Sequence, residues 1–183
     1  MNFGDGALEH VPDAPLGRAA IVFRSVNRKG EPGYRSDLQR HHLLPCQLLT
    51  LPCFGCMLES LGHQRIGFDN FRVNGLLLPC SAKAAIRTGL PLHRGPHRLY
   101  SEMVIERVGQ VERTWSAASP RAPEQARLDA LMRLGLLQRA LRRRLLAPRH
   151  GSIMLNRHDP LGAGRDFSEL DMMAEAIWGA TAP

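Results

Sequence analysis

Residues 39–49 read QRHHLLPCQLL and place His41 and His42 side by side at the entrance to an apolar run. Neighbouring residues of a β-strand point to opposite faces, so an extended backbone cannot aim both imidazoles into one pocket. The pair therefore predicts either two separate roles, or one functional ring and one surface ring. Polar residues elsewhere in the chain are needed to decide between these interpretations.

The chain has 183 residues, a formal net charge of +7 and a pI near 10.0. This length suits one domain with an appendage and is sufficient for a hydrophobic core without disulfides. Aromatic residues make up only 5%, so we expect an aliphatic core. The positive charge favours polyanionic partners, nucleic acid before an anionic membrane surface, although arginine-rich composition is also common in GC-rich bacterial proteins.

The sequence contains no apolar run of about 18 residues, the length that a transmembrane helix needs. The first 17 residues also lack the basic-then-apolar pattern of a secretory signal. We therefore expect no membrane partner, and either a cytoplasmic location or export by a leaderless route.

Two segments are predicted to be extended. Residues 19–26, AAIVFRSV, read as a short β-type run, and residues 71–80, FRVNGLLLPC, read as strand, turn and strand or as a strand with an Asn-Gly kink. Helices are predicted in the remaining regular segments, from apolar spacing and from glycines that end helices. They lie within 47–62 (ending at Gly62), 81–90 (ending at Gly89), 96–113, 123–146 and 168–179, with a linker at 116–123.

Three further polar residues follow the histidine pair: Asn74, His93 and His97. The H-x-x-x-H spacing of His93 and His97 puts both rings on one face if the segment is helical. Gly95 and Pro96 lie between them, so the helix can instead begin at Pro96 with His93 on the preceding loop. Either arrangement lets both rings converge on one point.

These residue types suit hydrolysis of a phosphodiester assisted by a divalent metal. The reaction needs a cation held by a few histidines or carboxylates, with positions left for phosphate and water. It also needs a metal-free general base, and a neutral imidazole qualifies because its unperturbed pKa is about 6.5. Asparagine is a suitable hydrogen-bond partner for aiming such a base.

Three segments together resemble the AHH branch of the HNH/endonuclease VII nucleases, which carry the ββα-metal fold. The segments are HHLLP at 41–45, FDNFRVNGLLLP at 68–79 and GLPLHRGPHRLY at 89–100, in family order. Any one of them would be a weak signal, but their combination is specific. One departure is Arg40, which stands where the family pattern has alanine.

The resemblance implies a role for each grouped histidine. His41, His93 and His97 would hold the metal, which makes His41 a catalytic residue as well. His42 would be the general base that activates water. Asn74 would orient that base or tie the two strands together.

Three residues near the second histidine pair are candidates for substrate binding. Tyr100 lies one helical turn after His97, where it would contact a substrate phosphate, support His97 or simply pack on the helix. Arg94 and Arg98 flank the site and are candidates for phosphate binding, although solvated surface charge is the default for an arginine.

The four cysteines, Cys46, Cys53, Cys56 and Cys80, allow two interpretations. The C-x-x-C spacing of Cys53 and Cys56 is typical of a zinc knuckle, with Cys46 and Cys80 as the other ligands. The long interval before Cys80 and the lack of a second C-x-x-C favour free thiols buried in a leucine-rich core.

We therefore expect an α+β protein with a ββα-metal (HNH-like) core and additional C-terminal helices. The expected division is an N-terminal arm with a short strand at 1–35, a nuclease core at 36–113 and a helical extension packed on it at 120–183. The predicted function is a metal-dependent endonuclease that cleaves DNA or RNA with Mg, Mn, Ni or Zn.

Two other functions are compatible with the sequence. One is a non-catalytic nucleic-acid-binding module that keeps the fold, and the other is a structural zinc protein that presents a scaffold to a protein partner. The family also includes many secreted bacterial toxin domains, so the resemblance raises a toxin role, with an immunity protein as partner.

Overall fold

A computed structural model describes residues 19–147 and 153–162. These residues form two β-strands, six α-helices and three short 3-10 segments. The strands are β1 (Leu38–His42) and β2 (Gly75–Pro79), and the helices are α1 (Gly55–Leu61), α2 (His63–Ile66), α3 (Phe71–Asn74), α4 (Ala82–Thr88), α5 (Arg98–Ala118) and α6 (Pro123–Leu146). The 3-10 segments are Phe23–Ser25, Cys46–Thr50 and Pro52–Phe54.

The two strands pair antiparallel, with His41 opposite Leu76 and His42 opposite Gly75. The short helices α1 to α3 fill the connection between the strands, and α5 follows the sheet as the first long helix. This combination of helices with a small antiparallel sheet confirms the α+β class and is consistent with the ββα-metal fold.

The hydrophobic core lies between the sheet, the short connecting helices and the two long helices. The helix α6 packs along α5 and also contacts α1, α2 and α3. On α6 the buried stripe contains Leu134, Leu141 and Leu145, at the spacing that keeps aliphatic side chains on one helix face. The sequence predicts this docking, and the structure confirms it.

The predicted helix ends at Gly62 and Gly89 are confirmed. Both glycines have positive φ, 78° and 68°, which L side chains rarely adopt. The helix α4 begins after Ser81, whose hydroxyl accepts a hydrogen bond from the Ala84 amide at 3.2 Å. These caps set the lengths of α1 and α4.

The predicted strand at 71–74 is wrong, since these residues form the helical turn α3 and only Gly75–Pro79 is extended. The Asn70 side chain caps that turn by accepting a hydrogen bond from the Arg72 amide at 3.1 Å. The ring of Phe71 then lies against Gly75 so closely that a Cβ there would overlap it. Local capping therefore outweighs the β propensity of the segment.

The β-type run predicted at 19–26 is also wrong in most of its length. Val22 makes one isolated antiparallel bridge to Asn70, and Phe23–Ser25 forms a 3-10 turn. A single bridge cannot continue as a ladder because the chain turns at once. The helix α5 extends beyond its predicted end, to Ala118, which shortens the predicted linker.

The prediction that the cysteines are buried in the core is wrong: Cys46, Cys53 and Cys56 are exposed and Cys80 is half-buried. The short helical segments that carry them turn other side chains, among them Leu48, Phe54 and Met57, toward the core. The predicted helix at 168–179 and most of the N-terminal arm lie outside the described residues. Within the described ranges, no helix combines the length and apolar character needed to cross a membrane.

Candidate metal centre

Three histidines meet at one point: His41 on β1, and His93 and His97 on the connection between α4 and α5. One ligand nitrogen from each lies within 4.8 Å of the other two. The ring centroids are 4.8 to 5.2 Å apart. Among the described residues, this is the one group of three or more histidine, cysteine or acidic side chains that could hold a metal ion.

Backbone and side-chain contacts hold each ring in place. His41 lies on the inward face of β1 and is 1% exposed. The His93 amide donates a hydrogen bond of 2.7 Å to the carbonyl of Pro79, at the end of β2. The Nδ1 atom of His97 lies 3.4 Å from the hydroxyl of Ser101, one turn into α5. The two strands and the start of α5 therefore define the cluster.

All three imidazoles are neutral at physiological pH. Burial, together with the neighbouring histidines, lowers the pKa of His41 from 6.5 to about 2. The same two causes lower the pKa of His93 to about 4, and burial also lowers the pKa of His97. Metal binding requires unprotonated imidazoles, so their lone pairs are free for a cation.

Several ring nitrogens of the cluster are buried without a hydrogen-bond partner in the described part of the chain. They are both nitrogens of His41 and Nδ1 of His93. A buried polar atom without a partner is destabilising unless something else satisfies it. A divalent cation would accept the lone pair of one nitrogen from each ring, so the donor set fits a metal.

His42 lies on the other face of β1, away from the cluster. Its ring stacks on Phe23 with centroids 3.6 Å apart and an interplanar angle of 9°. Burial lowers the pKa of His42, and Arg40 adds to this effect while Asp69 opposes it. The ring is therefore neutral, half-buried and separate from the three clustered imidazoles.

Asn74 is fully buried and makes the contacts of a structural tie. Its Oδ1 accepts a hydrogen bond from the Leu44 amide at 2.7 Å, and its Nδ2 donates to the Leu44 carbonyl at 3.2 Å. Gln138 on α6 also donates to Oδ1, at 3.4 Å. In the described residues it makes no hydrogen bond to His42, so its contacts match the strand-tying alternative and not the orienting one.

Tyr100 is 2% exposed, and its hydroxyl donates a hydrogen bond of 2.7 Å to the Leu43 carbonyl. Its ring packs edge-on against His41, with centroids 4.9 Å apart, and against His97. Burial also raises the pKa of Tyr100. The hydroxyl points inward, so these contacts match the alternative in which Tyr100 supports His97 and not the one in which it contacts a substrate phosphate.

The remaining candidates divide into two groups. Arg94 and Arg98 are exposed and line a cleft that also includes His97. The four cysteines do not form a metal group anywhere in the described residues, so the predicted zinc site is not assembled. Three of the thiols are exposed and Cys80 is half-buried, and no three of them lie close enough to share a metal ion in the described part of the chain.

Two residues that contact the histidines are not predicted from the sequence. Ser101 lies four residues after His97, a spacing that places it one helical turn away, so a helix-based search for partners of His97 would find it. Phe23 has no local signal, because its contact with His42 joins segments that are distant in the sequence.

Of three comparisons with known proteins, one gives a match, to a family model. No curated protein and no solved structure is significantly similar to the chain. Residues 22–135, well over half of the chain, match the model of AHH, a nuclease family of the HNH/endonuclease VII superfamily with a conserved AHH motif. That range contains the histidine pair of β1, Asn74 and both histidines of the second pair. The chain belongs to the AHH family of nucleases in the HNH/endonuclease VII superfamily.

Proposed function

We propose that this protein is a metal-dependent endonuclease that hydrolyses phosphodiester bonds of nucleic acid. The observation that supports it best is the convergence of His41, His93 and His97, while His42 is held apart on the opposite face of the strand. A cluster of neutral donors next to a separate neutral base is the combination that such hydrolysis needs.

The clustered histidines would hold a divalent cation, leaving coordination positions open for substrate. Once bound, the cation would stabilise the negative charge that develops on phosphate. Imidazole nitrogens suit Zn or Ni better than Mg, which prefers oxygen ligands. We therefore expect Zn or Ni to bind more tightly than Mg, and Mn to lie closer to Mg.

His42 would accept a proton from the attacking water, whose oxygen then attacks phosphorus in line with the leaving oxygen. Stacking on Phe23 restricts rotation of the imidazole and shields one of its faces. The exposed part of the ring remains open to solvent, so a proton can enter and leave. Arg94 and Arg98 would bind phosphate beside the cluster.

The decisive experiment is a cleavage assay on plasmid DNA and structured RNA with Mg, Mn, Ni and Zn in turn. The wild type should cut at least one substrate, and His42→Ala should lose about 100-fold to 10,000-fold in rate, the usual contribution of a general base. His63→Ala is a matched control, since His63 is exposed and packs on Phe68 away from the three-histidine group.

Each outcome bears on one function. If neither DNA nor RNA is cut with any of the four metals, the endonuclease proposal is overturned. Tight, salt-sensitive binding of nucleic acid without cleavage would support a non-catalytic binding module. Undiminished cleavage by His42→Ala would remove His42 as the base while leaving the metal centre standing.

A further inference from the structure

A basic cleft adjoins the metal centre and is built from two segments that are distant in the sequence. One wall comes from the loop and first turn that carry His97, and the other from residues 153–162. Three arginines line it, Arg94, Arg98 and Arg157, and none of the described lining residues is acidic. Like charges gathered around one cleft repel one another unless an anion lies between them.

The segment that brings Arg157 to the cleft is fixed in position by buried contacts. Leu155 and Asp159 are each 5% exposed. The two carboxylate oxygens of Asp159 accept hydrogen bonds from the amides of Leu92, at 2.8 Å, and Leu161, at 2.9 Å. Leu92 directly precedes His93, so Asp159 ties this segment to the loop of the metal centre.

A second contact holds the segment to the same loop. The Asn156 side-chain amide donates a hydrogen bond to the carbonyl of Arg94. Arg157 itself is exposed, with Nε donating to the ring of His158 at 3.0 Å, and its terminal nitrogens remain available to a ligand in the cleft. The anchored backbone therefore keeps Arg157 on the wall of the cleft that His97 also lines.

We propose that Arg157 completes, with Arg94 and Arg98, a subsite for a backbone phosphate of the nucleic acid next to the bond that is cut. A guanidinium offers paired N–H donors that match two phosphate oxygens. The segment lies outside residues 22–135, so the family match does not include it. The proposal rests on the proposed function for the identity of the anion.

The test measures binding of a fluorescein-labelled DNA duplex and an RNA strand to the full chain, over a series of salt concentrations. Arg157→Ala should weaken binding about tenfold and reduce the slope of log Kd against log salt by about 1. Arg139→Ala is the matched control, because Arg139 is exposed on α6 and does not line the cleft. It should leave both quantities near the wild-type values.

A second variant tests the anchor. Asp159→Ala should release the segment and weaken binding, and adding Arg157→Ala to it should produce little further loss. Equal effects of Arg157→Ala and Arg139→Ala would overturn the subsite, and so would full additivity with Asp159→Ala. A wild type that never cleaves would overturn the proposed function, whereas these binding data would still decide the subsite.

An independent observation concerns Arg40, which stands where the family pattern has alanine. Its Nη1 donates hydrogen bonds to the carbonyls of Arg24, at 2.7 Å, and Val26, at 3.3 Å. These carbonyls belong to the short turn that carries Phe23, and Phe23 stacks on His42. Arg40 and His42 are two positions apart on β1 and so share one face.

We infer that Arg40 is a positioning residue, which holds Phe23 against the proposed base. An alanine at position 40 cannot make these bonds, so this chain has its own clamp for the ring. The inference rests on the proposed function for the role of His42, but the clamp itself is a structural claim with a direct readout.

That readout is the NMR signal of the His42 ring protons, which the stacked benzene ring shifts upfield. Phe23→Leu should abolish the shift, Phe23→Tyr should keep it, and Arg40→Ala should reduce it. In a cleaving wild type, Arg40→Ala should lower kcat by up to about 100-fold, because a group misplaced by about 1 Å can lose that much. KM and metal affinity should not change.

An unchanged ring shift in Arg40→Ala would overturn the clamp whether or not the protein is a nuclease. A rise in KM with a smaller salt slope and an unchanged kcat would also overturn it, since Arg40 would then be a phosphate contact.

Discussion

The two faces of β1 place the adjacent residues His41 and His42 in different surroundings. On the inner face, His41 is 1% exposed and meets two further imidazoles and the edge of Tyr100. On the outer face, His42 is half-buried and meets a single benzene ring. The difference shows how the pleat of one strand places two adjacent imidazoles in separate environments, which the proposed function assigns to a metal ligand and to a base.

The largest expected effect that tests this comparison is on metal affinity. His97→Ala removes one of three proposed ligands and should weaken Zn or Ni binding by more than about 100-fold, since changes outside the ligand set alone cost 10-fold to 100-fold. His42→Ala should bind the metal as the wild type does. Titration calorimetry on both variants measures this, and equal losses would show that the two faces do not have separate roles.

A smaller effect is expected on stability when the hydrogen bonds between Asn74 and the backbone of Leu44 are removed. Asn74→Ala would leave the Leu44 amide and carbonyl without their buried partner and should lower the free energy of unfolding by about 3 kcal/mol. Asn70→Ala removes a more exposed helix cap and should cost about 1 kcal/mol. Urea unfolding of both variants gives the comparison, and equal losses would contradict the structural role of Asn74.

The smallest expected effect is on how the stability of the metal-free protein depends on pH. The pKa of His93 is lowered to about 4 and that of His41 to about 2, so below 6.5 the unfolded chain binds protons that the folded chain does not. Stability should therefore be full above pH 6.5 and fall as pH decreases toward 4, by at most about 1.4 kcal/mol per pH unit for each histidine.

The matched variant for this measurement is His93→Asn, which removes one of the three clustered imidazoles whose pKa is lowered. Thermal unfolding across this range should show a shallower decline in His93→Asn than in the wild type. An identical slope would mean that His93 is not buried in neutral form, and the contrast between the faces would weaken accordingly.

Much of this site could be predicted from local patterns. The histidine pair, the H-x-x-x-H spacing and the apolar repeats of α5 and α6 are short-range features, and alternation and helical periodicity follow directly from backbone geometry. The convergence of His41, His93 and His97 agrees with the prediction, because the short H-x-x-x-H spacing keeps the second pair of rings close together.

Other features could not be predicted, because they depend on contacts between distant segments. The Asn-Gly pair has the sequence of a turn, yet the fold buries Asn74 on the backbone of Leu44, thirty residues away. Tyr100 sits at the spacing of a substrate contact, but its hydroxyl is turned inward to Leu43. The cysteines have apolar neighbours, yet three of them face solvent.

The sequence by itself determined the family, the fold class and the identity of the grouped histidines, since these follow from residue type and local spacing. Only the tertiary structure decided that the Tyr100 hydroxyl turns inward, that Phe23 covers His42, and that Arg157 borders the cleft. The physical reason is that periodicity acts over a few residues, whereas a buried contact depends on the packing of the whole chain.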